Sequence, residues 1–306
     1  MKKNPLFEKC LSNVTPEVRD EVRINMDKEL LQDKINRAIR LITTAVGDGE
    51  VEVCYSGGKD SDVILELTKM SGVKYRAIYK NTTIDPPGTI AHCKRNGVEV
   101  MSPTIRFFDL VAKKGFPTRR ARFCCEKLKE YKVMDTAIQG IRRCESTARA
   151  KRYSSSDPII CRMYGSKKNH VNVILPILDW TDEDVAEFIN ERGIKCHKLY
   201  YDDKGNFHPE RRLGCIGCPM SQRGQLDDFM KYPKMVRLWL KAGQKWWDSH
   251  PDIAAHKKFN NIYELFVHDV FFCSYEDFRL AVDGGLFEGD VVDCKKFIEK
   301  KFNIKL

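Results

Sequence analysis

No stretch of this 306-residue chain approaches the ~20 consecutive apolar residues that a bilayer span requires. The first residues, Met1-Lys2-Lys3-Asn4-Pro5-Leu6-Phe7-Glu8-Lys9, carry positive charge with no apolar run behind them, which argues against a signal peptide and for a cytoplasmic protein. Internal repeats, low-complexity tracts and long linkers are missing too. Acidic residues are in deficit: 43 Asp and Glu face 53 Lys and Arg, a formal net charge of +10. That excess suits an anionic partner, either a nucleotide or a nucleic acid. It suits equally a set of Lys-rich solvated helices that only keep the protein soluble. None of the standard nucleic-acid-binding modules is present. With 42% hydrophobic and 31% charged residues, disorder is excluded and a sizeable core is expected.

Cysteine, by contrast, is abundant. Twelve cysteines without a secretory signal point away from a disulfide framework and towards metal or redox work in a reducing compartment. Four of them form a pattern, Cys124-Cys125 and, far downstream, Cys215-Ile216-Gly217-Cys218. Gly214, Gly217 and Pro219 predict a tight turn that aims two thiolates at one centre. Four thiolates suit Zn²⁺ or a [4Fe–4S] cluster, and adjacent ligands fit the cluster better than a small tetrahedral ion. Arg119, Arg120, Arg122, Lys127 and Lys129 surround the first pair; such cations stabilise thiolates, bind nucleotide phosphates or line a nucleic-acid track. Cys54, Cys273 and Cys294 are expected at packing positions. Trp239, Trp246 and Trp247, at helical spacing, are expected to pack, with base stacking as the alternative.

Apolar spacing predicts a helix from Pro16 to Val46 and another from Asp62 to Met70. Strand-like pieces fall at Val51–Tyr55, Tyr75–Tyr79, Val98–Met101, Thr136–Gly140 and Val171–Ile177, with helices at Thr89–Asn96 and Glu126–Asp135 between them. Thr181-Asp182-Glu183-Asp184 starts a further helix with a capping-box signature, and Gly193 stops it. Helices around Leu226–Trp247 and Ile262–Ala281 follow. Strands alternating with helices predict an α/β fold, a mostly parallel sheet with helices on both faces and a helical C-terminal part. The expected division is a helical segment over 1–46, a nucleotide-binding domain over 47–222 and a helical cap over 223–306.

The segment between the first strand and its helix is Ser56-Gly57-Gly58-Lys59-Asp60-Ser61. Gly57 and Gly58 let the backbone turn sharply and bring its N–H groups close to phosphate oxygens. The helix start adds its positive end, Lys59 a point charge, and Ser56 and Ser61 hydroxyl donors. Asp60 is an acid beside an anion site, tolerable as a Mg²⁺ ligand or a helix cap. The spacing is not that of the Walker loop, which needs four residues between Gly and Gly-Lys.

This loop resembles the pyrophosphate-binding loop of the N-type ATP pyrophosphatases, whose members include GMP synthetase, asparagine synthetase, tRNA thiolation enzymes and the PAPS reductases. Gln139-Gly140-Ile141-Arg142-Arg143-Cys144-Glu145-Ser146-Thr147-Ala148-Arg149 is similar to the PAPS-reductase-like strand-end segment. Pro176-Ile177-Leu178-Asp179-Trp180-Thr181 with Asp184 and Val185 matches another of its segments, and His197-Lys198-Leu199-Tyr200 a third. The resemblance runs from about residue 48 to 220. It implies an adenine nucleotide alpha-hydrolase-like, Rossmann-like fold and an adenine nucleotide, ATP with Mg²⁺, held by Ser56, Gly57, Gly58, Lys59, Asp60, Ser61, Gly140 and Arg142. Lys59, Asp60, Arg142 and Arg149 are the implied catalytic residues. Asn81-Thr82-Thr83-Ile84-Asp85-Pro86-Pro87 lies where relatives carry a second nucleotide loop. The cysteines resemble the [4Fe–4S] pattern of adenylyl-sulfate reductases and of DNA-phosphorothioation ATP pyrophosphatases, implying Cys124, Cys125, Cys215 and Cys218 as metal ligands. The Glu-Cys-Gly tail with which sulfonucleotide reductases attack sulfur is missing; the chain has Val292-Asp293-Cys294-Lys295 instead. The expectation is therefore an ATP pyrophosphatase in sulfur transfer, with nucleic acid as acceptor and a cysteine desulfurase or another sulfur donor as partner. A divergent reductase using Cys294, and a non-catalytic nucleotide-binding subunit of a modification or defence complex, are the alternatives.

Overall fold

The computed structural model describes residues 16–154, 157–164, 169–221, 224–272, 274–283 and 293–306. Strands β1 (Glu50–Tyr55), β2 (Lys74–Lys80), β3 (Glu99–Met101), β4 (Thr136–Ile138), β5 (Ile159–Met163) and β6 (His170–Ile174) form one sheet in the order β3-β2-β1-β4-β6-β5. The pairs β1–β4, β4–β6 and β2–β3 are parallel, with Val53 opposite Ile138 and Ile138 opposite Ile174. Val51, Val53 and Tyr55 are buried on one face of β1 and Glu52 on the other, as a parallel strand covered on both faces requires.

The chain forms two compact units interleaved in sequence: Met1–Ala77, Met134–Arg162 and His170–Arg211 make one, and Ile78–Val133, Met163–Asn169 and Arg212–Leu306 the other. In the first unit α1 (Pro16–Val46) packs on α2 (Lys59–Ser71), and α2 on α7 (Asp182–Glu191). Both α2 and α7 carry the expected signals: Gly72 closes α2 in the left-handed conformation at φ 72°, and Thr181 with Asp184 forms the capping box of α7. The six-residue helix α6 (Thr147–Arg152) follows β4.

The second unit holds α3 (Thr89–Arg95), α4 (Phe107–Lys114), α5 (Phe123–Leu128), α8 (Gly224–Lys231), α9 (Pro233–Ser249), α10 (Ile262–Phe271), α11 (Tyr275–Asp283) and α12 (Cys294–Phe302). Its core is aromatic, with Phe107, Phe116, Phe229, Trp239, Phe266 and Phe278 buried together. Gly243 lets α9 approach Phe116 so closely that a Cβ there would come within 2.4 Å of the ring.

Several boundaries differ from the periodicity. The helix expected over Glu126–Asp135 spans Phe123–Leu128 instead; the amides of Lys129 and Glu130 both fold back onto the Cys125 carbonyl and close it. The last strand stops at Ile174 because Pro176 has no N–H to donate. The long helix around Leu226–Trp247 breaks at Tyr232, where Pro233 opens α9 at its first position. Edge strand β5 had no signal, since its outward positions Ile159, Cys161 and Met163 are exposed and apolar, not polar. The Cys273 expectation lies outside the described residues.

Candidate nucleotide site and cysteine cavity

In the first unit, β1 delivers the chain to the loop at Ser56. Gly57 takes φ 80°, which L side chains rarely adopt, and Gly58 turns extended as the N-cap of α2. As a glycine, that N-cap has no side chain to close the helix end. The Lys59 amide is instead held by the Tyr200 hydroxyl at 3.2 Å, and a Cβ on Gly58 would press on that oxygen at 3.3 Å. Ser61 Oγ donates to the Gly58 carbonyl at 2.7 Å, and Ser56 Oγ to Ser61 Oγ at 3.3 Å, so both hydroxyls line the same turn. A helix start with a glycine N-cap and with two serines and a lysine around it has the chemistry that an anion requires.

Four charges meet beside it. Lys59 Nζ lies 3.2 Å from Asp60 and 3.8 Å from Asp182. Arg142 donates through Nε to Asp60 and through Nη2 to Asp182, both at 2.7 Å. Its Nη1 reaches Cys144 Sγ at 2.9 Å, and the residue is only 1% exposed. Burial works against the Arg142 charge, but Asp60 and Asp182 outweigh it and raise its pKa. The structure thus brings Arg142 to the loop as the partner of two carboxylates. Arg149 lies on α6, where it pairs with Glu145 four residues back, and the same carboxylate accepts from the Arg142 amide at 2.9 Å. Gly140, just past β4, is where the two chain segments touch: a Cβ there would stand 2.9 Å from the Asp60 carbonyl oxygen. Only glycine fits that approach.

Two members of this site escaped the sequence reading. Asp182 read only as a first-turn acid of α7, and Tyr200 only as part of a His-x-Leu-Tyr segment. Cys196 and His197 are buried, and the Cys196 thiol is pushed up by burial and by the nearby Asp62. Neither lies exposed as a nucleophile would.

The second unit carries the cysteines. Cys124 and Cys125 on α5, and Cys215 and Cys218 in the turn before α8, line one cavity with Lys129 and Trp239. The turn is built as its glycine demands: Gly217 takes φ 72°, its amide donates to Asp228 at 3.0 Å, and a Cβ would stand 2.4 Å from Phe229. Hydrogen bonding from Cys124 lowers the Cys125 thiol against the effect of burial, with Arg122 assisting, while Cys124, the donor, is raised. Burial raises Cys215 to about 12. Burial would lower Lys129, but the thiol of Cys215 and the carboxylate of Asp85 prevail and raise it. Thr82, from the expected second nucleotide loop, is on this cavity, 3.6 Å from Cys215 Sγ.

Among the described residues no three Cys, His, Asp or Glu side chains stand at ligand geometry for a metal ion. The donor set nevertheless fits a sulfur-rich group: four thiols share one cavity, two cations, Arg122 and Lys129, act on them, and the buried Trp239 Nε1–H has no acceptor. Of the other expectations, Trp239 and Trp247 are core residues, and Cys294 is buried in the same core with its thiol pushed up to about 12 by burial. No helix among the described residues is long and apolar enough to cross a membrane.

A family model described as the phosphoadenosine phosphosulfate reductase domain matches residues 50–221. The chain is also similar, at 27% identity, to the uncharacterized 37.8 kDa protein in the gpa 5′ region of Escherichia phage 186. That match covers 61% of this chain and 60% of the phage protein's length.

Proposed function

The chain belongs to the phosphoadenosine phosphosulfate reductase domain family, whose chemistry is nucleotide-linked sulfur chemistry, and on that premise we propose that it is an ATP pyrophosphatase in sulfur transfer. ATP with Mg²⁺ binds at Ser56–Ser61. An acceptor oxygen attacks the α-phosphorus, and the bond to the bridging oxygen breaks. Pyrophosphate leaves with that electron pair, and the acceptor is left adenylated. Sulfide, or the terminal sulfur of a cysteine desulfurase persulfide, then forms a bond to the acceptor, and AMP leaves with the former acceptor oxygen. With the persulfide, an external thiol attacks the donor cysteine's sulfur, breaks the remaining S–S bond and is left in a disulfide with that cysteine.

The observation that carries this reading is the α2 start, whose N-cap Gly58 has no side chain to close it and whose first residue, Lys59, brings an ammonium. Lys59, the loop amides and the hydroxyls of Ser56 and Ser61 stabilise the negative charge that develops on the leaving pyrophosphate. Asp60 would be the carboxylate that holds the Mg²⁺ arriving with ATP, which would offset charge on the phosphates. Arg142 holds Asp60 and Asp182 in register, and Arg149 stands on α6 as a second cation for the nucleotide. Cys124, Cys125, Cys215 and Cys218 would hold a [4Fe–4S] cluster, or Zn²⁺, which would supply a structural tie or an electron-transfer centre. The net charge of +10 supports nucleic acid as the acceptor, as in DNA phosphorothioation.

Reduction of a sulfonucleotide to sulfite is disfavoured by Cys294, whose thiol is buried and raised where a nucleophile needs to be exposed and low. The test is pyrophosphate release from ATP by anaerobically purified protein, with and without DNA or RNA, beside Lys59→Ala. Release that depends on Lys59 and rises with nucleic acid is the expected result. Sulfite from adenylyl sulfate or PAPS with no pyrophosphate overturns it, and nucleotide binding without either product leaves a non-catalytic subunit.

A further inference from the structure

Helix α9 buries Val236, Trp239, Leu240, Ala242, Gly243 and Trp247 on one side. Its opposite side is a cationic stripe, Lys234, Arg237, Lys241 and Lys245, all exposed. At 1.5 Å per residue the stripe runs for roughly 16 Å with a cation at nearly every turn. Arg237, Lys241 and Lys245 line a groove of about 430 Å³ together with Lys305 and Tyr263, over whose ring Lys295 Nζ lies 5.9 Å from the centroid. None of these four cations pairs with a carboxylate among the described residues. Asp248, the one acidic side chain on the groove among the described residues, accepts from Gln244 at 2.7 Å. A helix face that serves only solubility intersperses both signs, with acids three or four residues from the bases. Here Asp248 is the only acid on the whole helix.

We propose that this groove binds the sugar-phosphate backbone of a single-stranded nucleic acid. Regularly spaced unpaired cations track a phosphate chain, and an aromatic ring in the same groove offers a stacking surface for an unpaired base. The four cations supply affinity without sequence preference, and Tyr263 supplies the preference for single strands over duplex. The choice of polymer rests on the reading of nucleic acid as acceptor and gives that reading a surface.

The test is fluorescence anisotropy of labelled 20-mers, as single-stranded DNA, single-stranded RNA and duplex, over a salt series in the absence of ATP. The full chain is compared with K241E/K245E, R237Q and Y263L, and with K74E/K195E, which reverses the same charge at two exposed lysines of the other unit. Two lost phosphate contacts lower the slope of log affinity against log salt by about 1.4 for single strands, and one by about 0.7. Affinity should fall at least about tenfold in K241E/K245E, with R237Q intermediate and K74E/K195E keeping the wild-type slope. Y263L should lose at least about fivefold on single strands and little on duplex. Equal losses and equal slopes in the two charge-matched pairs overturn the groove, and so does preference for duplex. Because no ATP is present, groove-dependent binding by a protein that releases no pyrophosphate sinks the enzymatic reading alone, whereas pyrophosphate release without groove dependence sinks the groove alone.

Discussion

Replacing Arg142 with methionine removes the cation that ties the nucleotide loop to α7. The guanidinium is 1% exposed and makes 2.7 Å bonds to Asp60 and Asp182. Asp60, with a side chain 19% exposed, keeps only Lys59, so the loss of its charge-assisted bond is felt almost fully, at ~1.5–3 kcal/mol. Asp182, at 52% exposed, rehydrates and contributes little. Added to the mismatch left in the pocket, the total is about 3 kcal/mol, at the low end of the ~3–5 kcal/mol seen when a buried pair loses one partner. A domain of this size loses ~2–4 °C per kcal/mol, so Tm should fall by about 6–12 °C. The protein still folds, since stabilities of ~5–15 kcal/mol are usual. Urea and thermal unfolding of Arg142→Met, Asp60→Asn and the double variant close a cycle, with an expected coupling of about 1–2 kcal/mol. A loss under about 1 kcal/mol, or strict additivity, refutes the pairing as a structural element.

Gly140→Ala drives a Cβ against backbone atoms of Asp60 at 2.9 Å; it should cost ~1–3 kcal/mol and weaken ATP binding at least tenfold by calorimetry, and unchanged affinity would mean the loop tolerates the shift. Burial would raise the Asp184 carboxyl, but Lys34 and the Thr181 amide prevail and hold it below its ordinary 3.8. A depressed folded-state pKa gives stability that is present above the unfolded value and lost as pH falls below it. The Tm gap between wild type and Asp184→Asn should therefore shrink from pH 5 to pH 3, and a constant gap contradicts the pairing. Cys215→Ser in anaerobically purified protein should lower bound iron and acid-labile sulfide together; zinc in their stead would select the tetrahedral alternative. Cys294→Ala should leave turnover intact and cost about 1 kcal/mol or more of stability, whereas loss of turnover at unchanged Tm would restore the reductase.

The loop was legible because its chemistry is contiguous: two glycines, a lysine and two serines stand between one strand and one helix. The cysteines were legible because adjacency and a two-residue spacing are themselves signals. Arg142 was visible as a strand-end arginine, yet its partners are 82 and 40 residues away. Nothing in local periodicity distinguishes a guanidinium that binds phosphate from one that binds two carboxylates. Tyr200 stood out only as the end of a His-x-Leu-Tyr segment, and it takes the fold to bring its hydroxyl to the Lys59 amide. The missed helix α4 and edge strand β5 are short, and their burial is decided by the aromatic core and the sheet edge rather than by their own spacing. The cationic stripe of α9 could have been counted from Lys234, Arg237, Lys241 and Lys245, but only the fold adds Lys305 and Tyr263 to the same groove.

The central claim is that the loop at Ser56–Ser61 directs cleavage at the α-phosphorus of ATP. The most direct measurement follows ATP labelled at its α-phosphorus through anaerobic turnover with single-stranded nucleic acid and a sulfide donor. Label recovered in AMP, in step with free pyrophosphate and abolished by Lys59→Ala, is the predicted result. Label recovered in ADP with inorganic phosphate, or AMP formation that persists in Lys59→Ala, contradicts the account.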